Sequence, residues 1–245
     1  MDRDEDPTAR LWGGPPMTSA TQPTVWQAVL RSSLLLTLFA AAFTLLMSGA
    51  YQLTRAPIAA AIQAEELRLV RALVPPSPPA RTIREITLPE AITKALDLNP
   101  PAKGYVVFRE AEPELVIVPA RSRQGYGGDV VVIVAVNGHG ELVGARVTQH
   151  HETPGLGDYI DPERDRNKAR PWITQFAGIP IAAHPGPWRV KKDGGFVDAH
   201  AGATISARAT TMAIERGARV ASSAFAQLVA LANRERGNDE KGNQP

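Results

Sequence analysis

The hydrophobic pattern of the chain begins with one long apolar segment. Between Arg31 and Arg55 there are 23 consecutive residues without a charged side chain. At about 1.5 Å per residue, a helix of this length crosses a hydrocarbon layer of roughly 30 Å. We therefore predict a transmembrane helix over residues 32–54, preceded by a short N-terminal segment of residues 1–31. A cleaved signal peptide fits less well, because its apolar region is usually about 7 to 15 residues long.

The residues after this segment change from a helical to a proline-rich pattern. Residues 56–73 carry apolar side chains at helical spacing, and Pro57 suits the first turn of a helix that extends or abuts the membrane helix. Seven of the 27 residues in 75–101 are prolines, which predicts a mostly extended connector with a short helix over 90–96. Residues 55–102 are thus expected to form a stalk helix and a connector.

Four strands are predicted after the connector, because runs rich in β-branched residues alternate with glycine-rich turns. They span residues 104–109, 114–118, 129–136 and 142–148. The dipeptide Asn137-Gly138 is a strong hairpin signal. The continuous apolar run VVVIVAV predicts a central strand that is covered on both faces. These patterns predict an antiparallel meander.

Helices are expected to cover this sheet. The candidates are residues 164–176 and a long segment, 205–233, whose apolar side chains recur at spacings of three and four. An antiparallel sheet packed with helices is an α+β fold, which we predict for residues 103–233. Residues 234–245 lack apolar side chains and are predicted to be a disordered tail.

Composition excludes several classes of function. The 245 residues include 27 Lys and Arg against 25 Asp and Glu, a balance that argues against a nucleic-acid partner. The absence of cysteine excludes a disulfide framework, a cysteine-ligated iron–sulfur cluster and a haem attached through C-x-x-C-H. Any redox chemistry must therefore use another cofactor.

Most of the common cofactor signatures are missing. Gly155-Leu-Gly157 lacks the third glycine of a dinucleotide fingerprint, and the chain has no Gly-Lys-Ser/Thr phosphate loop. The spacing of the five histidines does not predict a metal site.

The segment 198–204 is chemically the most informative, because it sets a glycine and a hydroxyl residue before the predicted C-terminal helix. Thr204 is a natural N-cap for that helix. The first amides of a helix lack intrahelical partners and carry partial positive charge, so they suit a phosphate, and Gly202 allows close backbone approach. Taken alone, this pattern is more simply a helix cap after a glycine turn.

Residues 198–204, D-A-H-A-G-A-T, resemble the flavinylation motif D-x-x-[ST]-G-A-T of a known FMN-binding domain. That domain is shared by the G subunit of Rnf ion-translocating electron-transport complexes and the C subunit of the sodium-translocating NADH:quinone oxidoreductase. The resemblance implies that Thr204 bears FMN through a phosphoester installed by a flavin transferase, with Asp198 as the acidic residue of the motif. Gly202 and Ala203 match the motif, whereas Ala201 stands where it has Ser or Thr.

Two further loops strengthen this resemblance. Residues 151–158, H-E-T-P-G-L-G-D, resemble the E-T-P-G-L-G loop of the same domain, and residues 125–128 resemble its glycine turn. The implied flavin-binding residues in the first loop are Thr153, Gly155, Leu156 and Gly157. Their glycines are expected to let backbone amides approach the flavin ring, whose potential is tuned by nearby donors and charge. Without the Thr204 motif, this loop would be interpreted as a tight turn.

The resemblance implies the G subunit of an Rnf complex, a single-pass flavoprotein of the bacterial inner membrane. Such a protein carries covalent FMN and transfers electrons within an ion-translocating ferredoxin/NAD oxidoreductase, as an electron-transfer component rather than a stand-alone enzyme. Its partners would be the other subunits, the flavin transferase and membrane lipid. The alternatives are the C subunit of the quinone reductase, an FMN-bearing membrane regulator, or an anchored scaffold or sensor without flavin.

The resemblance also implies a cytoplasmic N-terminus and a C-terminal domain on the periplasmic side. The arginines after the span, Arg55, Arg68 and Arg71, favour the opposite orientation by the loop-charge rule. Long domains can be translocated regardless of such charges, so the sequence leaves the two arguments in conflict.

Overall fold

The computed structural model of the protein describes residues 25–76, 81–182 and 186–242. Residues 1–24 of the predicted N-terminal segment and residues 243–245 of the predicted tail lie outside the described residues. The chain divides into two compact units, Met1–Ala60 and Ala61–Pro245.

Helix α1, Val25–Leu73, contains the whole predicted apolar span. Its apolar side chains are exposed over this span, and the helix is long and apolar enough to cross a membrane. The helix predicted to start near Pro57 is part of α1, with Pro57 in its interior rather than in its first turn. A proline removes one intrahelical hydrogen bond, and α1 continues on either side of it.

The second unit contains a six-stranded antiparallel sheet in which strands that follow each other along the chain are also neighbours. This order confirms the predicted meander. The strands are β1 Arg81–Thr87, β2 Lys103–Arg109, β3 Glu112–Ser122, β4 Val130–Asn137, β5 Glu141–Gln149 and β6 Ile179–Pro180. The Asn137-Gly138 dipeptide opens the turn between β4 and β5, as its hairpin signal predicts.

Strand β1 lies in the stretch that the sequence predicted to be an extended connector. It pairs with β2 along its full length, from Arg81 opposite Arg109 to Thr87 opposite Lys103. Ile83 and Ile86 are three positions apart and pack into hydrophobic clusters on opposite faces of the sheet. The strand therefore lacks the alternating pattern that would have revealed it, and the sheet begins at β1 rather than at residue 103.

The central strand β4 is buried on both faces, as the run VVVIVAV predicts. Helix α3, Thr204–Ser223, packs over β3 and β4 on one face. On the other face Val70 and Leu73, from the end of α1, join a cluster that includes Ile133. The short helix predicted over 90–96 is α2, Glu90–Ala95.

The helix predicted over residues 164–176 is wrong except at its end, where a single 3₁₀ segment covers Trp172–Phe176. The carboxylate of Asp165 is buried and accepts hydrogen bonds from the backbone N–H groups of Asn167 and Trp172. Such side-chain bonds offer the backbone an alternative to the helical ladder. Pro171 also disfavours helical geometry in the residue before it.

The single helix predicted over residues 205–233 is two helices, α3 and α4, Phe225–Gly242, separated at Ala224. Helix α4 packs against β1, β2 and β3, and Leu228 is fully buried there. Neither proline nor glycine marks the break, which follows from packing against the sheet. The α4 backbone also remains helical through much of the predicted disordered tail, as far as Gly242.

Close packing of α3 on the sheet predicts that Gly217 tolerates no side chain. An added Cβ would lie 2.7 Å from Val134 Cγ2 and 3.1 Å from Ala120 Cβ. We expect Gly217→Val to lower the free energy of unfolding by about 1–3 kcal/mol, because both neighbours are stiff and buried. Arg219→Val adds the same residue at an exposed site of α3 and should cost less than about 1 kcal/mol. Urea unfolding of the detergent-solubilised chain measures both, and equal effects would contradict the close packing.

Candidate functional site

The three segments singled out in the sequence converge on one cavity of about 170 Å³. The glycine turn, the Thr-Pro-Gly loop and the start of α3 each contribute to its wall. The lining residues are Tyr126, Glu152, Thr153, Leu156, Gly157, Gly202, Ala203, Ile205 and Ser206. Five of the eight predicted site residues are among them. Gly155, Asp198 and Thr204 do not line the cavity, although Thr204 lies between two residues that do.

Thr204 is the first residue of α3 rather than its N-cap, which corrects the prediction from the sequence. Ala203 occupies the N-cap position with non-helical backbone angles, and no side chain caps the helix. Ala203 is buried, whereas Thr204 is partly exposed. The Thr204 hydroxyl forms no hydrogen bond within the part of the chain that the structure describes. This hydroxyl is therefore available for chemistry at a helix N-terminus.

The Thr-Pro-Gly loop is closed by its own backbone. The Thr153 carbonyl accepts hydrogen bonds from the N–H groups of Leu156 and Gly157, at 3.1 and 3.0 Å. The Gly155 N–H donates to Asp158 Oδ1 at 2.9 Å. Both amides therefore already have partners within the loop, and the approach of backbone amides to a flavin ring stays a prediction.

A buried carboxylate joins the three segments. Glu152 is 4% exposed, and its Oε1 accepts a hydrogen bond from the N–H of Gly127 at 3.2 Å. Its Oε2 accepts a hydrogen bond from the hydroxyl of Ser206, in the first turn of α3. Its own N–H donates to His150 Nδ1 at 3.2 Å. Burying a carboxylate costs several kcal/mol unless hydrogen bonds compensate, so these contacts fix the relative positions of turn, loop and helix.

Glycines make room for the Glu152 carboxylate. A Cβ at Gly125 would lie 2.6 Å from Glu152 Oε1, and one at Gly157 would lie 2.5 Å from Ser206 Oγ. A Cβ at Gly127 would lie 1.8 Å from the carbonyl oxygen of His151. Gly125 therefore leaves room for the carboxylate, whereas Gly127 allows the turn to approach the backbone of His151 closely.

Aromatic residues hold the segment that precedes Thr204. The Tyr159 hydroxyl donates to the Ala203 carbonyl at 3.2 Å and accepts from the His200 N–H at 3.3 Å. Burial raises the pKa of Tyr159 to about 12, so its hydroxyl remains a donor at neutral pH. Trp172 Nε1 donates to the Asp198 carbonyl at 2.6 Å. Both ends of the segment are thus tied to the loops that follow β5.

The acidic residue of the motif lies at the surface. The carboxylate of Asp198 forms an ion pair with Lys191 Nζ at 2.6 Å, and both side chains are more than half exposed. Asp198 also lines a separate depression of about 270 Å³ together with His200 and Trp172. Ala201 stands where the motif has Ser or Thr, and it is exposed. The hydroxyl that the motif has at this position is therefore not needed as a partner for a buried group.

The cavity has an apolar and accessible rim. Outside α1, the large apolar side chains that are exposed in the described residues are Tyr126, Leu156 and Ile205, at 70%, 48% and 45%. All three line this cavity. Apolar walls with a few placed polar groups are typical of cofactor sites. The exposed apolar surface of the domain is therefore concentrated beside Thr204.

Several residues of this site were not predicted from the sequence. Glu152 and Ser206 lie within or directly beside the recognised motifs, but the sequence alone assigned neither a role. Tyr126 lies in the glycine turn, and Ile205 follows Thr204 directly. Tyr159 carries no sequence signal of its own, since its hydroxyl bonds to residues more than forty positions away.

The residues present fit FMN. A phosphate suits the N-terminus of the 20-residue helix α3, beside the free Thr204 hydroxyl. Gly202, with φ of +86°, has a backbone conformation that favours glycine, and its missing side chain leaves the backbone accessible beside Leu156. The apolar rim suits an aromatic ring system. The cavity is smaller than the roughly 300–1,000 Å³ of most ligand pockets. Its size suits enclosure of part of a flavin, with the remainder at the surface.

Comparison with known families agrees with this chemistry. Residues 125–219 match the family described as FMN-binding domain, and residues 17–73 match the family described as RnfG N-terminal region. The first match contains all eight predicted site residues, and the second contains the apolar span.

Curated relatives cover most of the chain. The G subunit of the ion-translocating oxidoreductase complex of Pseudomonas aeruginosa is 36% identical over 195 residues, which are 79% of this chain and 88% of that protein. The protein of the same name from Escherichia coli K12 is 33% identical over 84% of this chain and 97% of its own length. The one from Shewanella piezotolerans is 32% identical over 77% and 87%. The chain therefore belongs to the family of G subunits of ion-translocating oxidoreductase complexes, as the resemblance in its motifs indicated.

Proposed function

We propose that the chain carries FMN covalently on the Thr204 hydroxyl and transfers electrons through it to or from other subunits. The chain is a membrane-anchored, FMN-binding subunit of an ion-translocating oxidoreductase complex. The proposal adds the covalent bond, the acceptor residue and the residues that surround the flavin.

The observation that carries the proposal is the convergence of the three motif segments on one cavity beside Thr204. Residues far apart in the chain meet there, and the hydroxyl at the first position of α3 is partly exposed and without a partner in the described structure. The hydroxyls of Thr210 and Thr211 are buried and bonded to helix carbonyls at 2.8 and 2.7 Å. Ser206 is engaged by Glu152. Thr204 is therefore the most accessible acceptor in this turn and the next.

The chain's own residues have a binding and orienting role. Bound FMN supplies the capacity to accept and donate electrons. The N-terminus of α3 favours the phosphate end, and Leu156, Ile205 and Tyr126 offer an apolar surface to the ring system. No side chain of this site needs to act as an acid, base or nucleophile toward an external substrate, which agrees with a role in electron transfer.

The partners follow from the same assignment. Other subunits of the complex are partners through family membership. We further infer a flavin transferase during maturation, lipid around residues 32–54 and a periplasmic location for the domain that starts at Ala61. Because the relatives are named as G subunits, they favour this role over the C subunit of the quinone reductase or a membrane regulator.

Thr204→Ala should abolish covalent FMN and leave the domain folded. The substitution removes the acceptor oxygen but no hydrogen bond of the described structure. Intact-mass measurement after co-expression with the transferase should show one FMN residue on the wild type and none on the variant. Thr211→Ala is the matched control, and its chain should still fluoresce under ultraviolet light on a denaturing gel. An FMN mass on Thr204→Ala would identify another acceptor, and a dark wild type would favour a scaffold without flavin.

The phosphoester should depend on a second protein, because no described residue of the site is placed to activate the Thr204 hydroxyl. The carboxylate on the cavity wall, Glu152, is already bonded to Gly127 and Ser206. We expect the full chain to fold without covalent flavin in a host that lacks the transferase, and to gain one FMN when the enzyme is supplied. Stoichiometric covalent FMN in the first host would contradict this prediction.

The orientation in the membrane can be read from reporters fused after residue 245. We expect active alkaline phosphatase and dark green fluorescent protein, because only the phosphatase folds after export through the general secretory route. A chain without residues 32–54 is the control and should reverse both signals. Bright fluorescence and inactive phosphatase on the full chain would assign the domain to the cytoplasm, as the arginines after the span favour.

A further inference from the structure

The Glu152 carboxylate lies on the wall of the cavity beside Thr204. It accepts hydrogen bonds from Gly127 N–H and from the Ser206 hydroxyl, which suits the ionised form with its acceptor-only oxygens. Within the described residues it forms no ion pair. Burial lowers the pKa of His150, whose Nδ1 accepts the Glu152 N–H, so this ring adds no positive charge at neutral pH.

We propose that Glu152 is a positioning residue whose charge lowers the reduction potential of the flavin, and that the Ser206 hydroxyl moderates this effect. The inference rests on the proposed attachment of FMN at Thr204 and adds a role for two residues outside the attachment motif. The Glu152 carboxylate joins the Thr-Pro-Gly loop to α3 through Ser206, and the same carboxylate lines the cavity.

The physical reason is the charge balance of reduction. Two-electron reduction of FMN takes up two electrons and one proton, so the ring system gains one negative charge. A carboxylate that is 4% exposed is screened little by solvent or salt, and it disfavours the added charge. A donor hydrogen-bonded to that carboxylate withdraws part of its charge. Loss of the carboxylate and loss of the donor should therefore move the potential in opposite directions.

The test is a spectroelectrochemical titration of the full flavinylated chain in detergent, with dithionite as reductant and redox mediators. Glu152→Gln keeps the shape and one acceptor oxygen but removes the charge, and the midpoint potential should become more positive. Ser206→Ala keeps the charge and removes one donor, so the potential should become more negative.

A matched control separates charge near the cavity from charge in general. Glu215→Gln removes the same charge from α3, nine residues beyond Ser206, which is about 13 Å along the helix. Glu215 is paired with Arg219 at 2.9 Å and does not line the cavity. The midpoint potential of Glu215→Gln should match that of the wild type. Intact-mass measurement should show one FMN on every chain.

Each outcome is decisive. Equal potentials for the wild type and Glu152→Gln would overturn the electrostatic role, and shifts of both variants in the same direction would indicate a purely structural role. If Glu152→Gln fails to fold or to load FMN, the potential of Ser206→Ala decides alone, and an unchanged value refutes the proposal. Failure of the proposed function is seen earlier and separately, as a wild-type chain without covalent FMN.

Discussion

The site depends on one buried side chain, the carboxyl group of Glu152. A carboxylate out of water is stable only when hydrogen bonds and close packing surround it, and in this domain those partners come from three distant parts of the chain. Gly127 follows β3, Glu152 follows β5 and Ser206 lies in the first turn of α3. A side chain at Gly125 would collide with the carboxylate, and one at Gly157 would collide with the Ser206 hydroxyl that bonds to it. Glu152 and Ser206 both line the cavity beside Thr204, so the same contacts shape its wall.

The sequence predicts an element correctly where one kind of residue fills a continuous stretch of the chain. An uncharged run predicts the apolar part of α1, and continuous β-branched residues predict β4, which has helices on both faces. The prediction was wrong where distant groups compete with local preference. β1 is an edge strand whose side chains pack on both faces of the sheet. Over residues 164–172, backbone N–H groups bond to the Asp165 carboxylate instead of to helical carbonyls. At Ala224, packing on the sheet interrupts the long helix.

The site was predictable as a set of motifs but not as an arrangement. The sequence identified Thr204 and the Thr-Pro-Gly loop through resemblance, and the structure brings most of the predicted residues to one cavity. It could not reveal that Ala203 rather than Thr204 is the N-cap, because a buried alanine at that position follows from packing. Nor could it assign Glu152, whose role depends on a hydroxyl 54 positions further along the chain.

The place of Thr204 in α3 has a mechanical consequence. Thr204 begins a helix whose middle, at Gly217, is packed against the central strands too closely to admit a methyl group. If FMN is attached to Thr204, as we propose, its point of attachment cannot move independently of the sheet. The flavin ring could then move only as far as the chain between its phosphate and the ring allows. Any longer excursion toward an electron donor or acceptor would have to be made by the whole domain moving as a rigid body.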